Sequence, residues 1–200
     1  MSIVIGLTGN IACGKSTVGK IFQKMGIQVL DSDDLVHEIY ETDTQVQEQL
    51  LKEFGSLDRK EIAKQVFGKD KTQKRKILES IIHPKVDSKF REWILKNREE
   101  KILVNLVPLL FEAHLEHRYD RIITVFANKE QQIQRLQLRE PTLTTNAILT
   151  RIESQLPIEE KLRKSDFCID NTQNFDDLEL QIEEILESIA KQEKLILDLK

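Results

Sequence analysis

Gly9-Asn10-Ile11-Ala12-Cys13-Gly14-Lys15-Ser16 carries the spacing G-x-x-x-x-G-K-[ST]. Its chemistry is the gripping of a phosphate chain. The two glycines let the backbone curl so that successive N–H groups converge on one phosphate group. A helix opening near Lys15 adds the positive end of its dipole, and the Lys15 ammonium adds a mobile charge for the β- and γ-phosphates. The Ser16 hydroxyl is the expected Mg²⁺ ligand. Asn10, Ile11, Ala12, Cys13, Gly14, Lys15, Ser16 and Thr17 form the expected nucleotide-binding set. Cys13 is read as a small side chain tolerated in a loop that binds through its backbone, since no resolving cysteine is apparent.

Two further groups of residues are suited to phosphoryl transfer. Asp31-Ser32-Asp33-Asp34 follows a short apolar run, at the strand end where ligands bind in open α/β sheets. Asp31 or Asp33 is suited to accept an acceptor hydroxyl's proton or to order a magnesium-bound water, while Asp34 or Ser32 caps the next helix. Arg135, Arg139 and Arg151 lie in a later helical stretch. A guanidinium there can neutralise charge on the transferring group. Arg139 is the first choice, Arg151 the second, and Arg135 is read as structural.

The elements that must position these residues alternate. Short apolar strands are expected at residues 3–7, 27–30, 101–106, 121–126 and 167–169, separated by helical patterns, which predicts an α/β fold with a parallel sheet. The phosphate loop directly follows the first strand. Residues 35–100 exceed what a crossover needs and read as a helical insertion, and residues 131–164 form a second helical excursion. Leu178, Ile182, Ile185, Ile189, Ile196 and Leu199 recur at helical spacing, which predicts a final helix packed on the sheet rather than a dimerising coiled coil. A monomer is the favoured reading.

With 200 residues, 40% hydrophobic and 32% charged, the chain suits one globular domain with an inserted subdomain. A formal charge of -4 excludes a strongly basic, sequence-independent nucleic-acid binder. Cys13 and Cys168 lack metal or redox spacing, the start lacks a signal-peptide pattern, and the apolar stretch 102–111 is too short for a membrane span. The expectation is therefore a cytoplasmic protein without membrane or nucleic-acid partners. Asn128-Lys129-Glu130-Gln131 has glutamine where a guanine-reading loop needs aspartate, and no Asp-x-x-Gly switch occurs. The third strand runs through Asn105 into Val107-Pro108 instead of ending in the acid of an ATP-driven motor. A small-molecule kinase remains, with the insertion holding the acceptor and an arginine-bearing lid closing over ATP.

In this order of motifs the chain resembles the dephospho-coenzyme A kinases. The resemblance rests on residues 6–9 and 14–17, Asp31-Ser32-Asp33, residues 55–59, residues 78–84 ending in His83-Pro84, and Val107-Pro108-Leu109-Leu110-Phe111-Glu112. It continues through Arg151-Ile152 with Gln155 and through residues 165–171. It implies a P-loop NTPase-type three-layer α/β/α fold with a parallel five-stranded sheet. The core would be about 1–34, 101–130 and 165–200, the acceptor-binding insertion about 35–100 and the lid about 131–164. It also implies transfer of the ATP γ-phosphoryl, with Mg²⁺, to the ribose 3′-hydroxyl of dephospho-coenzyme A. Lys15, Asp33 and Arg139 are then the catalytic set. Thr8, Asp31, Asp33, His83, Pro108, Leu109, Leu110 and Glu112 face the acceptor, and Asp170 and Asn171 lie near the adenine. A related nucleoside or nucleotide kinase and a non-catalytic ATP-binding sensor are the alternatives.

One detail follows from the residues themselves, and the others are departures from the pattern of the family the chain resembles. His83 before proline is expected to end one helix while Pro84 starts another. Asn10 and Ala12 stand where the family usually has glycines, and Asn10 is the residue better suited to positive φ. Asp87 stands where a basic residue is common, so Lys85, Lys89 or Arg91 is expected to substitute. Glu140-Pro141 makes the lid corner after Arg139 atypical.

Overall fold

The computed structural model describes residues 2–66, 71–173 and 175–194. Two compact units divide the chain: Met1–Leu30 with Asn97–Lys200, and Asp31–Lys96. The second unit begins and ends four residues before the insertion limits expected from sequence.

The first unit is built on five strands: β1 (Ile3–Gly9), β2 (Gln28–Asp31), β3 (Ile102–Leu106), β4 (Arg121–Phe126) and β5 (Phe167–Asp170). They form a parallel sheet in the order β2-β3-β1-β4-β5. β1 is central. Ile3 pairs with Ile102 and Leu7 with Leu106 on one side, and Gly9 pairs with Val125 on the other. All seven of its residues are buried, as a strand covered on both faces must be. Alternation sorts the two faces. Ile3, Ile5, Leu7, Val104 and Leu106 pack against α1 (Lys15–Lys24) through Val18, Ile21 and Phe22, and against α9 (Phe175–Glu193). On the opposite face Gly6 meets Leu110 and Tyr119, and a Cβ there would lie 2.7 Å from Leu110. Asn105 donates to the Tyr119 hydroxyl oxygen at 2.9 Å.

The apolar stripe of α9 is spent on the sheet. Leu178, Ile182, Ile185, Leu186 and Ile189 are all buried in the core, each worth about 1.5–3 kcal/mol, so this stripe is not offered to a second chain. Ile196 and Leu199 lie outside the described residues.

The second unit consists of α2 (Ser32–Thr42), α3 (Thr44–Phe54), α4 (Arg59–Val66) and α5 (Thr72–Lys96). The first three all pack on α5, around Leu35, Ile39, Val46, Leu50, Phe54, Ile62, Ile82 and Phe90. The expected break at His83-Pro84 is corrected here, because α5 runs unbroken through Pro84. Proline removes one backbone bond to the carbonyl of residue 80. Ser80, His83 and Pro84 all face solvent, so water can take that carbonyl. Packing of α2, α3 and α4 along α5 outweighs the local cost.

Asp43 joins α2 to α3. Its carboxylate accepts from the Val46 amide at 3.1 Å and pairs with Lys85 Nζ at 3.0 Å. The Lys85 hydrogen bond, with the helix amides, holds its carboxyl below the ordinary aspartate value. Asp43→Ala is expected to lower unfolding free energy by about 1 kcal/mol through the lost cap, the half-buried, solvent-screened ion pair with Lys85 adding little. The folded carboxyl is the stronger acid, so the stabilisation is complete above the unfolded value of about 3.9 and is lost as pH falls through the lower folded one. Urea unfolding at pH 7 and near pH 2.5 should show the difference between the two proteins shrinking at acid pH.

Candidate active site

β1 ends at Gly9 and α1 begins at Lys15, and the five residues between them form the phosphate loop. Gly9 has φ 147°, and a Cβ there would sit 2.1 Å from the Val125 carbonyl oxygen. Gly14 has φ 96°, and a Cβ there would sit 2.0 Å from Asn171 Nδ2. Both positions therefore exclude a side chain on sterics as well as on backbone conformation. The third left-handed residue is Ala12, at φ 59°. Asn10, expected in that role, is not among the residues with positive φ. Its side chain instead reaches sideways to donate to the Leu156 carbonyl at 3.4 Å.

The loop is braced from several directions. Asn171 donates from its side chain to the Cys13 carbonyl at 2.7 Å, and its own amide donates to Phe126 at 2.8 Å. Arg135 spans the loop and the end of β5, donating to the Ala12 carbonyl at 3.2 Å and to the Asn171 carbonyl at 3.1 Å. The Gln155 side chain accepts from the Ile11 amide at 2.7 Å. The Ala12 and Cys13 carbonyls are thus paired, and the Cys13 and Thr17 amides are bonded to the Asn10 and Gly14 carbonyls, so the turn between them stands at the N-terminus of α1, the geometry that receives an anion. Lys15 Nζ donates to the Gly9 carbonyl at 3.1 Å, across the mouth of the curl. Ser16 and Thr17 are exposed on the first turn of α1.

Cys13 is fully buried, and burial pushes its thiol up despite the nearby Lys15 charge. It is a packed, protonated thiol rather than a nucleophile.

The segment after β3 divides between core and surface. Leu110, expected on the acceptor wall, is corrected to a core residue: it is fully buried with Val107, Phe111 and Ile122 and has no surface to offer a ligand. Pro108 is partly exposed and Leu109 exposed. Thr8, also expected to face the acceptor, is likewise corrected: it is fully buried, its Oγ1 donating to the Pro108 carbonyl at 3.5 Å. Glu112 turns inward, where Oε1 accepts from the Leu156 amide at 3.0 Å and lies 2.8 Å from Lys161 Nζ. Burial pushes the Lys161 ammonium down, and Glu112 pulls it back up.

The second helical stretch comprises α6 (Lys129–Arg139), α7 (Thr145–Glu153) and α8 (Ile158–Lys164). Leu136, Ile148 and Ile152 pack with Ile11 and Ala12 of the loop. Arg139 closes α6 in solvent, with Glu140 at 3.7 Å. Arg151 grips both oxygens of Glu140, at 2.8 and 2.9 Å, which ties down the Glu140-Pro141 corner. Of the three arginines, Arg135 is the one in contact with the phosphate loop. Asp170 accepts from the Thr172 amide and is held through its backbone by Gln181.

Asp31, Asp33 and His83 belong to the helical unit. Asp31 is the N-cap of α2, accepting from the Asp33 amide at 2.9 Å. The cap expected at Asp34 or Ser32 is therefore corrected to Asp31, whose extended backbone at φ -100°, ψ 119° is the conformation an N-cap requires. Burial, aided by the charges of Asp33 and Asp34, pushes its carboxyl up. Asp33 is exposed on the first turn of α2, and His83 is exposed on α5. The basic residues near Asp87 are each paired with an acid. Lys85 pairs with Asp43 at 3.0 Å, Lys89 with Glu38 at 2.5 Å and Arg91 with Asp87 at 2.6 Å.

Sequence reasoning missed Lys161 and the contacts of Gln155 and Leu156. The signal for Lys161 was its phase on α8: it stands three residues after Ile158 and one before Leu162, on the inward stripe.

Among the described residues no helix is long and apolar enough to cross a membrane. The family model described as dephospho-CoA kinase matches residues 3–177. A dephospho-CoA kinase of Bacillus licheniformis is 36% identical over 208 residues, covering 97% of this chain and 100% of that relative. Among solved structures, TT1252 from Thermus thermophilus superposes with a TM-score of 0.83 at 33% identity, over 94% of this chain and 98% of that one. A dephospho-CoA kinase from Campylobacter jejuni gives 0.69 at 29% identity, over 96% and 100%. Phosphate loop, sheet order and ordered motifs agree with this likeness across nearly the full length, and the chain belongs to the dephospho-CoA kinase family.

Proposed function

We propose that this kinase transfers the γ-phosphoryl group of ATP to the ribose 3′-hydroxyl of dephospho-coenzyme A. The observation that carries the nucleotide half is the curl from Ala12 to Gly14, braced by Asn171 and Arg135 at the start of α1. Family membership carries the acceptor half. The hydroxyl oxygen forms a bond to the γ-phosphorus while the bond to the β,γ-bridging oxygen breaks, releasing ADP. The hydroxyl proton passes to a carboxylate, for which Asp33 is the proposed base, since Asp31 accepts the amide that caps α2. Phosphoryl transfer needs mainly positioning and charge neutralisation. Lys15 and the loop amides hold the phosphates, Arg139 arrives with the lid, and Asp170 and Asn171 wall the adenine side. Pro108 and Leu109 are the proposed acceptor-flanking residues, and His83 is a further proposed acceptor contact.

Ser16 suits magnesium in the way a phosphate-bound cation requires. The described residues contain no group of three or more His, Cys, Asp or Glu that would cage a metal by themselves. An exposed hydroxyl beside Lys15 fits an ion held chiefly by phosphate oxygens and water. Bound there, magnesium supplies neutralisation of the β- and γ-phosphate charge.

The test is incubation of the purified chain with Mg-ATP and dephospho-coenzyme A, with 3′-phosphorylated product and ADP expected in equal amounts. Folded protein that makes ADP only with another nucleoside or nucleotide acceptor would support the related-kinase reading. Tight ATP binding with no turnover on any acceptor would support a sensor.

A further inference from the structure

Against the first half of the phosphate loop runs a connected set of polar groups that the transfer step does not use. Asn10 donates to the Leu156 carbonyl, the Leu156 amide donates to Glu112 Oε1, and Lys161 Nζ lies 2.8 Å from that same oxygen. The neighbouring Gln155 side chain accepts the Ile11 amide. Residues 155 and 156 are therefore strapped to the first half of the loop at two points, and the strap is anchored on one carboxylate.

That carboxylate is held by a lysine with no exposed surface. Lys161 Nζ pairs with Glu112 Oε1 at 2.8 Å, while Glu112 Oε2 and Asn10 Oδ1 are buried without a hydrogen-bond partner among the described residues. A buried pair this incompletely bonded is weak evidence of a device for stability, because apolar replacements of similar volume are often neutral or stabilising. It is better placed as a device for position. The charge of Lys161 also reaches Cys13, and that of Lys15 reaches Lys161, so the pair stands within the electrostatic field of the loop.

We infer that Lys161 is a positioning residue for nucleotide binding: it fixes Glu112, which holds Leu156, which in turn holds Asn10 and the adjoining Ile11 of the phosphate loop. Because Glu112 closes the segment that begins at Pro108, the pair also couples the nucleotide loop to the proposed acceptor wall. This rests on the reading of the loop as a nucleotide site, and its test separates the two.

Three variants decide it: Lys161→Met, Glu112→Leu and the double substitution, measured by calorimetric binding of Mg-ADP without acceptor and by thermal unfolding. Each single variant leaves a buried group unpaired and is expected to unfold at lower temperature. Each is also expected to bind Mg-ADP about tenfold more weakly, as a slightly misplaced loop requires. The double variant should regain most of the lost thermal stability while keeping the weakened affinity, no worse than either single, because the residues act as one unit. In Lys161→Met the KM for ATP should rise by a similar factor while kcat at saturating ATP changes less. Native Mg-ADP affinity in any folded variant, or a double variant that recovers affinity together with stability or fails to fold, overturns the inference. Failure of the unmodified chain to bind Mg-ADP would instead remove the reading of the nucleotide site, and this inference with it.

Discussion

Lys15→Ala is expected to lower kcat/KM for ATP by at least about 10²- to 10³-fold, the scale on which removal of one charge-stabilising donor acts. The reasoning begins with the backbone. Gly9 and Gly14 cannot carry side chains, so the loop's amides and the α1 terminus are fixed in place. Those groups contribute partial charges only. Lys15 contributes a full charge that can follow the γ-phosphoryl group as charge builds on it. Its ammonium already stands across the loop on the Gly9 carbonyl, so a short swing of a flexible stem suffices. Lys15 is only partly buried, and its loss leaves the core around Val18, Ile21 and Phe22 intact. Thermal unfolding should therefore be nearly unchanged while turnover collapses. Steady-state kinetics beside an unfolding curve separates the two. A folded variant with wild-type kcat/KM would remove Lys15 from the mechanism and weaken the whole reading of the loop.

The phosphate loop was legible because its determinants are local. A buried strand, two obligatory glycines and a helix start follow one another within a few residues, and each has its own signature. The five strands were legible for a similar reason, being short apolar runs between helical patterns. What sequence could not reveal depended on packing between distant segments. Arg135 and Arg139 are one helical turn apart on α6 and chemically identical. Which one meets the loop is decided by how Leu136, Ile148 and Ile152 seat α6 and α7 against Ile11 and Ala12. Glu112 was expected to face the acceptor and Lys161 carried no assigned role, and only the fold brings them together. The positive φ at Ala12 rather than Asn10 shows a preference overruled: the loop's path sets the conformation, and Asn10 is drawn to Leu156. Pro84 shows the same priority, with three helices packed on α5 outweighing the loss of one solvent-facing backbone bond.

Asp33→Asn is expected to lower kcat by about 10²- to 10⁴-fold, the range for loss of a general base, while affinity for Mg-ATP stays within about twofold. The split follows from where the residue stands. Asp33 lies outside the phosphate loop, and in its proposed role its carboxylate would take the acceptor's proton without holding the nucleotide. Asparagine keeps the size of the side chain but cannot take the proton. Asp31 supplies the control. It caps α2 through the Asp33 amide, and asparagine is an equally good cap, so Asp31→Asn preserves the start of the helix. If Asp33 is the base, Asp31→Asn keeps most of the turnover. Burial raises the Asp31 carboxyl, and that makes it the rival worth excluding, because a base tuned toward neutrality is also suited to the task. Rapid-quench measurement of the transfer step in both variants, with ATP saturating, compares them directly. A large loss in Asp31→Asn with an unimpaired Asp33→Asn would transfer the role to Asp31. Equal losses would mean that the two carboxylates act as a unit, with the proton shared between them.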